Sequence, residues 1–223
     1  YSAATLGADA GVYRLGAGNA QLTFNQANVL TGAASLVVGN PLNRALGWGT
    51  GNTSGIVLLD NVQNYTGSTT VNKNSQLLIS NTTLQNILPA GGVLNVSGLF
   101  QLSGQYTGTG PQVAPTTINV LNTGFSVAAS QTVGLVLGNN GRTTNSTDLR
   151  LSPTATTLNL TSGNLRMSGS TTAAITTAQT LATVNIEGGD LIALERGIAG
   201  TADKRVAVAA TVEIDRVARE HRA

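Results

Sequence analysis

The chain contains no cysteine and one histidine, and of its 223 residues only 22 are charged and 8 aromatic. Without cysteine there are no disulfides, thiolate metal sites or thiol nucleophiles. The single histidine, His221, stands in a charged run at the very end. No nucleophile-elbow sequence accompanies it, so a Ser-His-Asp triad is not expected, and histidine metal sites are excluded. A net charge of +2 makes no basic stripe, which argues against nucleic acid as a partner. No apolar run reaches the roughly 18 residues of a membrane-crossing helix, so this segment is not expected to insert into a bilayer on helices. Glycine lacks a three-residue period, which excludes collagen.

What the chain has in abundance is Gly (27), Thr (31) and Asn (21), more than a third of its residues. All three sit better in strands and turns than in helices. With 41% hydrophobic residues and little net charge, the chain has surface enough to bury a core rather than stay disordered. Its length permits one large β domain or two small ones.

Short apolar-alternating runs recur between Gly, Asn and Ser. They are Gln21-Leu-Thr-Phe24, Ser35-Leu-Val-Val38, Ile56-Val-Leu-Leu59, Gln76-Leu-Leu-Ile79, Val93-Leu-Asn-Val96, Thr117-Ile-Asn-Val-Leu121, Gly134-Leu-Val-Leu137, Thr157-Leu-Asn-Leu160 and Thr183-Val-Asn-Ile186. Four to six residues with turn formers on both sides is a strand signature. No helix is expected before residue 190.

The sequence also repeats. Leu22-Thr-Phe-Asn-Gln-Ala-Asn-Val-Leu-Thr-Gly32 aligns without gaps on Val57-Leu-Leu-Asp-Asn-Val-Gln-Asn-Tyr-Thr-Gly67, and an apolar-Thr-Gly element returns at Tyr106-Thr107-Gly108. Units of this size that cannot bury an apolar face alone point to a stacked array. Variable unit length and few aromatics favour a β-solenoid over a propeller.

Residues 55–79 resemble the autotransporter-associated β-strand repeat, through Gly55, Leu59, Tyr65, Thr66, Gly67, Thr69 or Thr70, Val71 and the strand Leu77–Ile79. Asp60, Asn61 and Gln63 depart from that pattern. Residues 11–40 are similar to a weaker copy and 92–120 to a degenerate one. The resemblance implies a right-handed parallel β-helix from the passenger region of a bacterial surface protein, secreted or displayed on the outer surface and acting in adhesion, aggregation or coating. A whole autotransporter would also carry a membrane barrel of about ten-residue amphipathic strands. These residues hold no counterpart of it, which leaves a passenger piece or a protein using the repeat without that exporter. The opening Tyr1-Ser-Ala-Ala, with no charged-then-apolar leader, fits a mature or excised piece.

In such a fold, strands of successive coils stack about 4.8 Å apart. Leu22, Phe24, Val57, Leu59, Leu77 and Ile79 are the expected inward residues. Gly32, Gly67, Asn72 and Asn74 are expected at positive φ in the corners. Thr and Asn at like positions are expected to form hydrogen-bond ladders along the axis. At about 20 residues per coil, the family-based figure, the chain would make roughly 11 coils and a rod about 50 Å long.

Composition changes near residue 187: residues 1–186 hold 9 of the charged side chains and 187–223 hold 13. The expected organisation is a β-solenoid over 1–186, followed by a charged cap, joining or linker segment over 187–223. Val206, Val208, Ala210, Val212 and Ile214 alternate as in a strand, whereas Thr211 to Arg222 also fits a helix. A cap or partner is needed because an open solenoid end exposes strand edges and core.

The chemistry on offer is thin. Before residue 187 the acids are Asp9, Asp60 and Asp148, each in a different repeat, where glycosidic hydrolysis needs a carboxylate pair. Asp148, Arg142 and Arg150 form the most polar cluster, in a Gly/Asn-rich loop. Glu187-Gly-Gly-Asp190 is one fragment of a calcium nonapeptide pattern. Trp48 reads as loop packing. Six Asn-x-Ser/Thr sequons, at Asn52, Asn64, Asn81, Asn95, Asn145 and Asn159, are expected by chance in so Asn- and Thr-rich a chain. No catalytic, cofactor-binding or metal residue is therefore assigned, no cofactor is called for, and the chain is not read as an enzyme.

The expected function is an extracellular structural or adhesive β-solenoid that self-associates into an oligomer, filament or surface layer, with a surface glycan as a further partner. The N-terminus begins within repeat-like sequence and shows no evident cap, so the expected joining is end-to-end or along an edge. The alternatives are a carbohydrate-binding or carbohydrate-cleaving β-helix using Asp148 and Arg142, and a phage-type fibre.

Overall fold

Alternating apolar residues give a strand one buried and one outer face, and flanking Gly and Asn end it after four or five residues. The structure, a computed structural model, describes residues 1–16, 18, 20–39, 55–73, 75–104, 106–121, 134–138, 146–148, 150–161, 163–168, 177–187, 190–194 and 206–213. In chain order the strands are β1 (Val12–Leu15), β2 (Gln21–Phe24), β3 (Thr31–Gly32), β4 (Ser35–Val38), β5 (Ile56–Leu59) and β6 (Asn64–Tyr65). Then come β7 (Thr69–Val71), β8 (Gln76–Ile79), β9 (Val93–Val96), β10 (Leu99–Leu102), β11 (Thr117–Leu121) and β12 (Gly134–Gly138). The last six are β13 (Ser146–Asp148), β14 (Thr157–Thr161), β15 (Asn164–Ser168), β16 (Thr177–Ile186), β17 (Asp190–Leu194) and β18 (Val206–Glu213). All nine runs singled out in the sequence lie in strands, and no helix occurs among the described residues.

The chain is all-β with parallel sheets. One sheet runs β1-β4-β7-β9-β11-β14-β16, with β13 and β18 also paired to β16; the other runs β2-β5-β8-β10-β12-β15-β17. Every one of these strand pairs is parallel, and apart from β13 the order in each sheet follows the chain. Parallel neighbours need a long crossover, and here the crossover delivers a strand to the other sheet before the chain returns. A third, narrower side carries β3 paired with β6 and a parallel bridge between Val113 and Leu151. The register of β16 against β18 shifts between Thr180 and Thr183, so the first part of β16 pairs with β13 and the second with β14.

The interior lies between the sheets, in registered columns. Leu22, Val57, Leu77, Phe100, Leu135 and Leu165 succeed one another across the second sheet. Val38, Val71, Val96, Val120, Leu160 and Ile186 do so across the first. The six residues expected to face inward all belong to this core, Leu22 at its rim. One polar residue interrupts a column: Thr69 lies between Leu36 and Leu94. Its hydroxyl meets the buried Tyr65 hydroxyl at 2.5 Å, which satisfies both groups.

Burial pushes the Tyr65 phenol well above its ordinary value, and the Thr69 hydrogen bond opposes that only in part. A phenol held neutral in the fold but free to ionise when unfolded gives full stability below about pH 10, lost as pH rises beyond it. Urea titrations should therefore show stability falling above pH 10 with a Tyr65 contribution of about 1.4 kcal/mol per pH unit. Tyr65→Phe should cost about 1–2 kcal/mol at pH 7 by orphaning Thr69, and should remove that part of the alkaline slope.

Three expectations need correction. Successive register partners are 20 residues apart at the closest (Ile56 and Gln76) and 40 at the widest (Thr117 and Thr157), not a uniform 20. Loops of different length join the same strands, so the first sheet stacks eight levels, from β1 to β18, over about 34 Å. The corner residues differ too. Gly32 has the expected positive φ (76°), but Gly67 does not; it is glycine because a Cβ there would lie 2.5 Å from the Ala34 carbonyl oxygen. Asn28 and Asn86, rather than Asn72, take positive φ, and Asn74 lies outside the described residues.

The third correction concerns the N-terminal end. Residues 1–9 fold back over it: Tyr1 N donates to Thr23 O (2.7 Å), Leu6 N to Val29 O (3.0 Å), and Asp9 and Val12 exchange backbone hydrogen bonds. The Tyr1 ring lies 5.4 Å from the ring of Phe24, which is wholly buried. The end of the second sheet is thus covered by its own chain. In the charged segment, β17 pairs with β15 and β18 with β16, so Thr211–Glu213 is strand; residues 214–223, His221 among them, lie outside the described residues.

Candidate functional site

Residues opposite the core on the first sheet repeat as Thr-x-Asn. Thr117, Thr157, Thr183 and Thr211 occupy one column of register positions, and Asn95, Asn119, Asn159 and Asn185 the next but one. Strict parallel register sets each amide about 4.8 Å from the next, close enough for side-chain bonds. Asn119 Nδ2 donates to Asn95 Oδ1 (2.9 Å), Asn159 Nδ2 to Asn119 Oδ1 (2.8 Å), and Asn185 Nδ2 to Asn159 Oδ1 (2.8 Å). This is the ladder the sequence suggested. It fixes the orientation of the amides and uses one N–H each of Asn119, Asn159 and Asn185.

Asn119→Ala should lower stability by about 1–2 kcal/mol, because it breaks two ladder bonds. Asn95→Ala, which removes one of the bonds described, should cost less. Urea midpoints at constant m distinguish the two.

Polar groups of the third side are turned inward. Gln63 and Gln112 there, and Gln179 in β16 of the first sheet, are buried, and each bonds main chain of a neighbouring level. Gln63 accepts from Leu30 N and donates to Gln26 O; Gln112 donates to Asn81 O; Gln179 accepts from Leu151 N and donates to Leu151 O. This side offers few paired strand residues, so amide side chains supply partners that a full ladder would otherwise give.

Arg150 lies in the same interior, with none of its surface exposed. Its Nη1 donates to Ser103 O (3.2 Å) and Gln112 Oε1 (3.1 Å), its Nη2 donates to Gly104 O, and the guanidinium stands 6.0 Å from the centre of the Tyr106 ring. Arg150 is thereby withdrawn from the polar cluster expected on a surface loop. Arg150 points into the protein, Arg142 lies outside the described residues, and Asp148 is described only as the end of β13, paired with Gln179.

The other acids are separate turn residues. Asp9 makes its backbone bridge to Val12, while Asp60 accepts from Ser80 Oγ (3.4 Å) and, through its carbonyl, from Asn81 Nδ2 (3.1 Å). Glu187 follows β16 and Asp190 opens β17. Trp48 lies outside the described residues. Among the described residues no three of His, Cys, Asp and Glu come together.

The buried glutamines and Arg150 were missed in the sequence. Gln112 and Arg150 each directly precede a bridging apolar residue, Val113 and Leu151, but that equivalence emerges only once the register is known. Neither a protein-family model, nor a curated protein, nor a solved structure matches the chain.

Proposed function

We propose that the chain is a structural or adhesive β-solenoid, a right-handed parallel β-helix of the autotransporter-passenger kind, displayed on or secreted from a bacterial surface. What supports this most is the parallel succession of both sheets, from β1 to β18 in the first and from β2 to β17 in the second. Right-handed winding is the hand that parallel crossovers adopt in nearly all cases. Repetition of this kind builds length and presents regular outer faces.

Its mechanism is presentation rather than catalysis. Inward polar groups such as Arg150 and Gln112 hold the levels together, while outer Thr and Asn columns offer uncharged hydrogen-bonding rows to the surroundings. Self-association uses these lateral faces, because the N-terminal end of the second sheet is already covered. A neutral surface glycan is the further partner such rows suit.

Analytical ultracentrifugation across a concentration series, with negative-stain electron microscopy of the same samples, tests this reading. Short rods that associate side by side as concentration rises are the expected result. A strictly monomeric species at the highest concentration, giving globular particles, would overturn it.

A further inference from the structure

The four sequons among the described residues are not equivalent once folded. Asn159 has both ends of its amide in the ladder, bonded to Asn119 and Asn185, and Asn95 accepts from Asn119 in a strand flanked by β7 and β11. Asn81 is occupied at both ends: Nδ2 donates to Asp60 O, and Oδ1 accepts from Thr83 N (3.0 Å) and Leu84 N (2.8 Å). Asn64-Tyr65-Thr66 differs. Asn64 and Thr66 are exposed while Tyr65 between them is buried, so the two polar side chains share the outer side. Main-chain bonds from Asn64 N to Leu30 O (3.1 Å) and from Thr66 N to Gly32 O (2.9 Å) hold the tripeptide extended. No hydrogen bond among the described residues engages the Asn64 side-chain amide. Asn52 and Asn145 lie outside the described residues.

We propose that Asn64 is an asparagine-linked glycosylation site, selected by the fold from among the described sequons. The co-substrate is a diphosphate-activated sugar carried into the site by a transferase. Asn64 Nδ2 attacks the anomeric carbon, a C–N bond forms, the C–O bond to the diphosphate breaks, and the diphosphate leaves with that electron pair. The amide nitrogen gives up one proton to a base on the transferase. The attached sugar would stand on the narrow third side, clear of the Asn ladder. This inference does not depend on the function proposed above.

The test incubates the folded full chain with a sequon-specific N-glycosyltransferase and its nucleotide-diphosphate hexose, followed by intact mass and peptide mapping. The chain held unfolded in urea throughout the incubation serves as the comparison. Addition of hexose at Asn64 in the folded chain, with Asn81, Asn95 and Asn159 unmodified, is expected. Thr66→Ala, an exposed change, should abolish that addition and Thr66→Ser should restore it. Asn64 unmodified in the folded chain, whether or not the unfolded chain accepts sugar there, would overturn the proposal. So would equal occupancy at Asn159.

Discussion

Arg150→Ala is expected to lower stability by about 3–4 kcal/mol, the largest loss from any single polar residue in the described core. The guanidinium is wholly buried and bonds three acceptors within residues 103–112 of the neighbouring level: the carbonyls of Ser103 and Gly104, and Gln112 Oε1. Truncation leaves a cavity beside Tyr106 and strips those acceptors of a donor. Each orphaned acceptor costs on the order of 1–3 kcal/mol, offset in part because a desolvated charge is removed with the side chain. Arg150→Lys should recover less than half of the loss, since an ammonium on a single stem cannot fork between acceptors set by a planar guanidinium. Urea unfolding at neutral pH measures both. A loss under 1 kcal/mol for the alanine variant would show that Arg150 does not tie the levels together.

Gly98→Ala should cost at least about 3 kcal/mol, or prevent folding. Gly98 turns the chain from β9 into β10, from one sheet to the other. A Cβ there would lie 2.3 Å from Asn72 O and 2.4 Å from Ser75 O. Neither carbonyl can retreat alone. Val71 O accepts from both Ser97 N and Gly98 N, and Ser75 O accepts from Leu99 N, so the corner of one level rests on the corner of the level before. The comparison is Gly16→Ala, where an added Cβ meets nothing within 4 Å; it should change stability by no more than about 0.5 kcal/mol. Thermal midpoints of the two variants side by side suffice. Equal midpoints would mean that the corners do not stack as described.

Much of the fold was legible because the hydrophobic effect writes a period of two into each strand. Leu22 and Val57, equivalent positions of the sequence repeat, are register partners in the structure. Thr31 and Gly32 are not partners of the residues that alignment gave them: they pair with Asn64 and Tyr65, two positions earlier than Thr66 and Gly67. The chain takes up the difference between the two strands, where no side chain fixes a register and loop length drifts freely. Tyr106-Thr107-Gly108 misled for the same reason. Thr107 N bonds Thr82 O early on the third side, whereas the level of Gln63 is continued by Ile87 and then by Gln112. Charge usually marks exposure, so the sequence alone places Arg150 on an outer loop. Its burial depends on carbonyls 46 and 47 residues away in sequence, a relation no local pattern contains. The Asn ladder, by contrast, needed only equal spacing within Thr-x-Asn strands, and that was visible.

The central claim is that successive strands of the first sheet climb one level at a time. Val37, Thr70, Asn95, Asn119, Asn159 and Asn185 are register partners in turn. Because the chain has no cysteine, paired cysteine spin labels can be placed at Val37 with Asn119 and at Val37 with Asn185 without competing thiols. Three and five levels at about 4.8 Å put the backbone sites about 14 and 24 Å apart. Pulsed dipolar spectroscopy should find the second distance longer than the first by about 10 Å, although it spans 66 more residues. Equal distances, or a separation growing with sequence length rather than with level, would contradict the stacked parallel arrangement on which the account rests.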